Sequence, residues 1–166
     1  MPHFLRRFVA CLTVLLATAA VAQQPVKHSL SITVVVTAKG DELFGSWDRP
    51  SGKPFSAVPV GVANRGQFLS AVVLFKGCTP DSAGNCNVEM DITAYDPQRR
   101  TYGEMPKVEL WQAKPAPQLG STQLSRNFMG IVIEPNDPSG TYRVAVVARD
   151  LNSGTKALSE TSFTVK

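Results

Sequence analysis

The sequence predicts an all-β fold, an antiparallel sandwich or barrel of about eight strands. Three observations lead to this prediction. Apolar and polar residues alternate with period two in most of the chain beyond residue 28, as they do in half-buried antiparallel strands. Clusters of Gly, Pro, Asn and Asp separate these runs and can reverse the chain. No long segment shows helical periodicity.

The first 22 residues have the pattern of a secretory signal peptide. Arg6 and Arg7 precede an apolar run that ends near Ala17, and small residues close the segment at Ala20 and Ala22. The apolar run is shorter than the roughly 20 residues that cross a membrane as a helix. We therefore expect cleavage after Ala22, a periplasmic or secreted location, and no membrane span.

The rest of the chain, residues 23–166, is long enough for a single domain with its own core. The leader carries Arg6 and Arg7 and no acidic residue, so its removal lowers the formal net charge from +4 to +2. The remaining basic residues are scattered, and only Arg99 and Arg100 are adjacent. Binding of nucleic acid would need a basic patch, so we expect no nucleic-acid partner.

Eight runs show strand periodicity, and it is clearest in residues 87–95. Val88, Met90 and Ile92 are apolar there, whereas the residues between them are polar. One face of this strand is therefore predicted to be buried and the other to be wet. The eight runs span residues 29–38, 56–63, 67–76, 87–95, 107–111, 128–134, 141–150 and 156–165.

Two segments depart from strand periodicity. Leu43 and Phe44 stand three to four residues before Trp47, which is the spacing of one helical face and predicts a single turn of helix. Residues 111–125 are rich in Pro and small polar residues and are predicted to form a long loop. Long loops in compact domains are often functional.

Seven residues separate Cys78 and Cys86, the two cysteines beyond the leader. An even number of cysteines in an exported chain favours a disulfide bond. Redox-active thiols favour a Cys-x-x-Cys spacing at the start of a helix, and this pair does not have it. We therefore predict a structural disulfide that closes the loop between two strands.

Oxygen-bearing side chains near this loop raise the alternative of a calcium site. Asp81, Asn85 and Asn87 lie in the loop or next to it, and Glu89 and Asp91 follow. Their spacing matches no familiar calcium-binding loop. The last two also have a sufficient explanation as the polar face of a strand. We expect neither a metal nor a cofactor.

Groups for nucleophilic catalysis are scarce. A hydroxyl or thiol nucleophile needs a base, most often histidine, and the one histidine beyond the leader is His28. Paired carboxylates could hydrolyse glycosides, but the acidic residues fall mostly on polar strand faces or in turns. We expect no catalytic residue, with a carboxylate-based hydrolase as the alternative.

Trp47 and Trp111 are the candidate contacts with a ligand or a partner. An exposed tryptophan can stack on a sugar ring or anchor a protein partner. The structural alternative is that Trp47, with Leu43 and Phe44, covers one end of the fold and that Trp111 caps the core. Exposure of the two rings would separate these readings.

Residues 133–150, followed by SFTV, resemble the last two strands of immunoglobulin-like sandwiches. Asp137, Gly140 and Tyr142 match the Asp-x-Gly-x-Tyr corner of that family, with one extra residue between the Asp and the Gly. The resemblance implies an immunoglobulin-like sandwich in which the Tyr142 hydroxyl bonds back to the backbone. It implies no activity. Val144 stands where antibody domains carry their second cysteine.

The overall layout also resembles that of small exported proteins of Gram-negative bacteria, which implies a location and no chemistry. The favoured hypothesis is a non-catalytic interaction or accessory module of the bacterial envelope, whose partner is another envelope or extracellular protein. The alternative is a carbohydrate-binding module that contacts glycan through Trp47, Trp111 and residues 111–125.

Overall fold

The computed structural model describes residues 29–47 and 57–166. The described residues are mostly strands with one short helix, which confirms the prediction of an all-β fold with mainly antiparallel sheets. The interpretation of residues 1–22 as a signal peptide lies outside the described residues. No helix in the described part of the chain is both long enough and apolar enough to cross a membrane.

Nine strands and one helix follow one another in the described ranges. Helix α1 (Gly40–Trp47) lies between the first two strands. The strands are β1 (Ser31–Thr37), β2 (Val62–Ala63), β3 (Phe68–Lys76), β4 (Asn85–Tyr95), β5 (Thr101–Pro115), β6 (Gln123–Leu124), β7 (Met129–Val132), β8 (Gly140–Asp150) and β9 (Lys156–Val165).

The first sheet is built around β3. Strand β1 pairs along one side of β3, antiparallel, from Ser31 opposite Lys76 to Thr37 opposite Ser70. The short strands β6 and β7 share the other side of β3, also antiparallel. The far edge of this sheet is therefore broken into two pieces.

The second sheet has the order β2-β9-β8-β4-β5. All its pairs are antiparallel except β2 with β9, which run parallel for two residues. The prediction of a strand over residues 56–63 is therefore wrong for most of its length, since only Val62 and Ala63 pair within the described part. Pro59 and Gly61 are poor strand formers, which explains the short pairing.

The core lies between the two sheets and is formed by the inward residues of the alternating strands. Strand β4 alternates buried and half-buried residues from Cys86 to Ala94, as its sequence predicts. Phe75 and Leu69 of the first sheet pack in the same cluster as Met90 and Val144 of the second. Each such buried side chain contributes about 1.5 to 3 kcal/mol to the free energy of unfolding.

Helix α1 lies on the outer face of the first sheet. Leu43 is buried there with Val72 and Leu124, and Phe44 and Trp47 pack against them. The helix has eight residues, so the prediction of a single turn is too short, and it covers a sheet face rather than an end of the fold. Gly40 permits the close approach of the helix, because a Cβ there would clash with the Ser70 hydroxyl.

Strand β5 runs from Thr101 to Pro115, so the loop predicted over residues 111–125 begins five residues later than expected. The loop also contains the two-residue strand β6. Two residues of β5, Lys107 and Ala113, have φ near 50° at shifts in its register with β4. These bulges break the period-two pattern, and only residues 107–111 of this strand were predicted.

The two open sides of the sandwich differ. On one side the first and last strands meet, and the Val34 amide of β1 donates to the Ser159 hydroxyl of β9 at 3.0 Å. On the other side β5 and β7 face each other without pairing. The gap between these two strands is the opening that positions the candidate site.

Candidate functional site

Cys78 and Cys86 form a disulfide bond with their Cα atoms 6.1 Å apart. Both cysteines are buried in the core cluster. The Asp81 carboxylate accepts from the backbone amides of Ala83 and Asn85, each at 2.9 Å, which closes the turn inside the loop. This local bonding explains the loop without any ligand.

A second set of hydrogen bonds ties the disulfide loop to the β8–β9 turn. The buried Asp150 carboxylate accepts from the Thr79 amide at 2.7 Å. The Asn152 side-chain amide donates to the carbonyl oxygens of Thr79 and Asn85. No group of three or more His, Cys, Asp and Glu residues within ranges 29–47 and 57–166 is arranged to hold a metal ion.

Asn87 and Asp91, both considered above as calcium ligands, instead bond the two bulges of β5. The Asn87 side-chain oxygen accepts from the Ala113 amide at 3.1 Å, and the Asp91 carboxylate accepts from the Lys107 amide at 2.8 Å. The Arg149 guanidinium donates to Asp91 at 2.6 Å. The hydrogen bond from Arg149, followed by that from Lys107, lowers the pKa of the Asp91 carboxyl.

Trp111 is half-buried and held from several directions. Its ring lies 5.4 Å from the Phe75 ring, and its indole nitrogen donates to the Pro115 carbonyl oxygen at 3.0 Å. The Lys114 ammonium lies 5.1 Å from the centre of the indole ring. One face of Trp111 therefore packs on the core and another meets a cation.

Trp47 ends helix α1 and is also half-buried. It packs, with Phe44, against the cluster of Leu43, Val72 and Leu124 on the outer face of the first sheet. The Phe44 ring in turn lies 5.2 Å from the ring of Phe128. Trp47 packs on the outer face of the first sheet, whereas Trp111 belongs to β5 of the second sheet, so the structure does not bring the two tryptophans together in one site.

The corner predicted from the terminal motif is present in part. The Tyr142 hydroxyl donates to the Pro138 carbonyl oxygen at 3.0 Å, four residues upstream. Gly140 has φ of 134°, and a Cβ there would lie 2.9 Å from Pro97. Asp137, however, bonds outside the motif, because its carboxylate accepts from the Glu134 amide and from the hydroxyl of Tyr102.

Tyr102 links β5 to the end of β7. Its hydroxyl lies 2.6 Å from the Val132 carbonyl oxygen and 2.5 Å from the Asp137 carboxylate. Burial, together with the hydrogen bond to Asp137, raises the pKa of Tyr102. The same hydrogen bond is the main cause of the lowered pKa of the Asp137 carboxyl. Tyr102 therefore stays neutral and Asp137 ionised at neutral pH.

A groove of about 370 Å³ lies between β5 and β7. Its apolar wall includes Met105 of β5 together with Met129, Ile131 and Val132 of β7. Its charged lining consists of two exposed glutamates, Glu104 and Glu134. This size falls at the lower end of the range for ligand pockets.

Two side chains bridge the gap at its ends. Asn127, just before β7, donates from its side-chain amide to the Glu109 carbonyl oxygen of β5 at 2.8 Å. Tyr102 of β5 contacts the Val132 carbonyl oxygen at the other end. Between these bridges the described residues show no hydrogen bond from β5 to β7, so the groove is open along its middle.

The middle of the groove exposes the outer edge of β7. The carbonyl oxygen of Ile133 accepts from the Gly66 amide on the β3 side, whereas that of Val132 faces Tyr102. Polar groups of antiparallel strands point alternately to the two sides. Gly130, two residues before Val132, therefore directs its N–H and C=O away from β3 and into the opening.

Sequence reasoning missed this groove. Its lining comes from segments that are distant in the chain, and the notable residue types within it are glycine and methionine rather than catalytic groups. One signal was available, because a glycine inside a predicted strand, here Gly130, often marks a place where another backbone approaches closely.

Neither protein-family models nor curated proteins match this chain. Solved structures give weak similarities. The chain is 13% identical to an alkylpurine DNA glycosylase from Pseudomonas fluorescens, bound to DNA that contains an abasic site analog, with a TM-score of 0.45. The match covers 84% of this chain and 31% of that one, so the chain spans less than a third of the glycosylase.

Two further similarities cover nearly the whole of the other protein. A CARDB domain from Pyrococcus furiosus, in complex with di-metal ions, is 10% identical with a TM-score of 0.43, over 83% of this chain and 93% of that one. A Niemann-Pick type C2 protein from the Japanese carpenter ant has the same identity and score, over 87% and 98%. Similarity of this degree assigns neither a family nor an activity.

Proposed function

We propose that this chain is a non-catalytic interaction module with an immunoglobulin-like sandwich fold, which works in the periplasm or outside the cell. The observation that carries the proposal is the open side between β5 and β7, where the apolar groove meets the unpaired edge of β7. Grooves beside an unpaired strand edge are places where proteins capture segments of other proteins.

Two observations support an exported location. The first 22 residues have a basic start, a short apolar run and a small-residue end. The buried Cys78–Cys86 bond fits an oxidising compartment, since cytosolic proteins rarely keep structural disulfides. The proposed partner is accordingly another protein of the envelope or of the extracellular space.

The surroundings of three carboxylates support the non-catalytic part of this proposal. Asp91 pairs with Arg149, Asp96 with Arg100, and Glu109 with Lys114. Each of the three carboxyls has a lowered pKa, so these groups remain ionised near neutral pH and are poorly suited to act as general acids.

A pull-down tests the proposal. The chain is exported through its own leader, purified, immobilised and incubated with envelope extract, with and without cross-linking. We expect one protein to be recovered in a defined ratio. A sample that has been reduced and unfolded, and then blocked at its cysteines, is the control and should recover none of it. Failure to recover any specific protein from the native sample, even after cross-linking, would contradict the proposal.

Glycan binding through the tryptophans is the competing proposal. Part of the Trp111 ring is accessible to a sugar, although one face packs near Phe75 and the Lys114 ammonium lies over the ring. A panel of soluble glycans titrated against tryptophan fluorescence tests it, with Trp111→Phe as the matched variant. Quenching that is lost in this variant would favour the glycan proposal, whereas equal binding by both proteins would remove Trp111 from it.

A further inference from the structure

We propose that β7 binds an extended segment of a partner protein as an added strand, and that this segment carries basic residues on either side of apolar ones. This inference rests on the proposed function, since it names the chemistry of the partner. Addition of a strand to a sheet edge derives affinity from backbone hydrogen bonds and specificity from side-chain pockets.

The edge of β7 offers the backbone groups that strand addition needs. Gly130 is exposed, and its N–H and C=O point into the opening by the alternation described above. Strand β7 contains no proline and no charged residue to discourage pairing. A Cβ at Gly130 would lie 2.9 Å from the exposed Phe68 ring of β3, so the glycine leaves room for that ring on the face of the sheet.

The longer edge strands, β1 and β5, are less suitable. Strand β1 meets β9 through the hydrogen bond between Val34 and Ser159. Strand β5 carries two bulges, at Lys107 and Ala113, and two prolines within its length. Bulges and prolines prevent edge pairing. The free edge of β7 is therefore the favoured place for a new strand.

Charge selects the occupant. Glu104 and Glu134 line opposite sides of the groove, and no basic side chain is among its lining residues. The Arg65 guanidinium lies near Glu134 but donates to the backbone carbonyl oxygens of Glu134 and Asp137. Neither glutamate forms an ion pair with another described residue. A second copy of this chain, docked edge to edge, would place acidic rims against each other, which is unfavourable. A basic segment would instead meet complementary charge.

The apolar floor suits aliphatic side chains. Met105 and Met129 line it together with Ile131, and methionine adapts its shape to different apolar groups. A strand added to β7 would direct alternate side chains toward this floor and the others toward solvent. The expected pattern in the segment is therefore basic, apolar, polar, apolar, basic.

Short synthetic peptides test the proposal directly. The probe is acetyl-Lys-Val-Thr-Val-Lys-amide, titrated into the exported chain and followed by NMR. We expect the amide resonances of Gly130 and Val132 to shift. The charge-reversed peptide, with Glu in place of both Lys residues, should bind at least about fivefold more weakly, because two favourable rim interactions become unfavourable.

Backbone methylation of the peptide separates strand addition from simple contact. Only one set of alternate peptide N–H groups faces β7. Two analogues are compared, one N-methylated on the first set of alternate residues and one on the other set. The analogue whose methyl groups face β7 should lose affinity, and the other should keep it. Equal affinity of both analogues would overturn strand addition, as would peptide-induced shifts confined to Trp111 and its neighbours.

Protein variants test the charge argument. Glu104→Gln with Glu134→Gln should weaken binding of the lysine peptide about two- to tenfold and reduce its dependence on salt. Glu42→Gln with Glu160→Gln makes the same chemical change away from the groove and should leave affinity unchanged. Equal affinity in both double variants would overturn the charge argument.

The two proposals fail in different ways. A partner recovered by pull-down with no binding of the lysine peptide at β7 would overturn strand addition and leave the interaction module standing. Peptide binding at β7 without any envelope partner would support the added strand and count against the module. Formation of a dimer of this chain through β7 would overturn the basic-segment proposal.

Discussion

Single hydroxyl, carboxylate and side-chain amide groups hold several turns and bulges of this protein in place. The Tyr142 hydroxyl bonds the Pro138 carbonyl, and the Asp91 and Asn87 side chains bond amides that the bulges of β5 leave unpaired. A bulge removes backbone groups from the hydrogen-bond ladder of the sheet, and a side chain can then supply the missing partner. These side chains therefore allow irregular backbone beside a regular sheet.

The first prediction concerns the Tyr142 hydroxyl. Tyr142→Phe should lower the free energy of unfolding by about 1 kcal/mol, because the Pro138 carbonyl oxygen loses the hydrogen bond that the Tyr142 hydroxyl donates. Urea denaturation measures the change. Tyr95→Phe is the matched control, since Tyr95 contacts Arg143 through its ring, and it should change stability less. Equal effects in the two variants would contradict the assigned role.

Among the elements, the short helix α1 was the hardest to place from its pattern. Leu43, Phe44 and Trp47 predicted one helical face correctly, but that face could equally have covered an end of the sandwich. Its position depends on Val72 and Leu124, which belong to β3 and β6. No local pattern in residues 40–47 reveals which sheet face is left uncovered by other strands.

The second prediction tests the packing of this helix. Leu43→Ala should destabilise the protein by about 2 to 4 kcal/mol, because a buried leucine leaves a cavity against Val72. Leu158→Ala, at a position that is 75% exposed, makes the same change on the surface and should cost much less. Thermal unfolding of both variants measures the difference. Equal losses would contradict the position of α1.

The third prediction concerns the loop between β3 and β4. Replacing Cys78 and Cys86 together by Ser should lower stability by about 2 to 3 kcal/mol through the chain entropy of the opened loop. With residues 1–22 removed, as proposed, the native protein should weigh two hydrogen atoms less than its reduced form and should contain no free thiol. A reactive thiol in that native protein would contradict the disulfide.

Across the whole molecule, several carboxylates lie beside basic groups or hydrogen-bond donors. The pKa values of Asp91, Glu109 and Asp137 are lowered, the first mainly by a hydrogen bond from Arg149, the second by one from Lys114 and the third by one from Tyr102. These groups bind protons more weakly in the folded state than in the unfolded chain.

The fourth prediction follows from the sign of these shifts. Because the folded pKa values are lowered, the stabilisation is fully present above the unfolded values near pH 4 and is lost as pH falls through the folded values. Urea midpoints should therefore be steady from about pH 7 to 5 and decrease below about pH 4. The urea midpoint of Asp91→Asn should decrease less over the same range. A midpoint of the unsubstituted protein that stays unchanged down to about pH 2 would contradict the hydrogen bonds assigned to these carboxylates.

The sequence alone determined most of the longer strands, most of the turns and the Cys78–Cys86 pairing. The strands and turns depend on local patterns, and the pairing joins the two cysteines of one short loop. Period-two alternation predicted β3, β4, β8 and β9 well. The same pattern failed for β5, since the bulges at Lys107 and Ala113 break the alternation and are stabilised from the neighbouring strand.

The open groove depended on the arrangement of the two sheets. Tyr102, Met105, Gly130 and Glu134 come from distant segments, and nothing in the order of their residues shows that β5 and β7 end as unpaired neighbours. Strands pair through backbone N–H and C=O groups, which nearly every residue has, and the paired strands are often distant in the chain. Side-chain patterns therefore predict which residues are buried, but not which strand edge is left free.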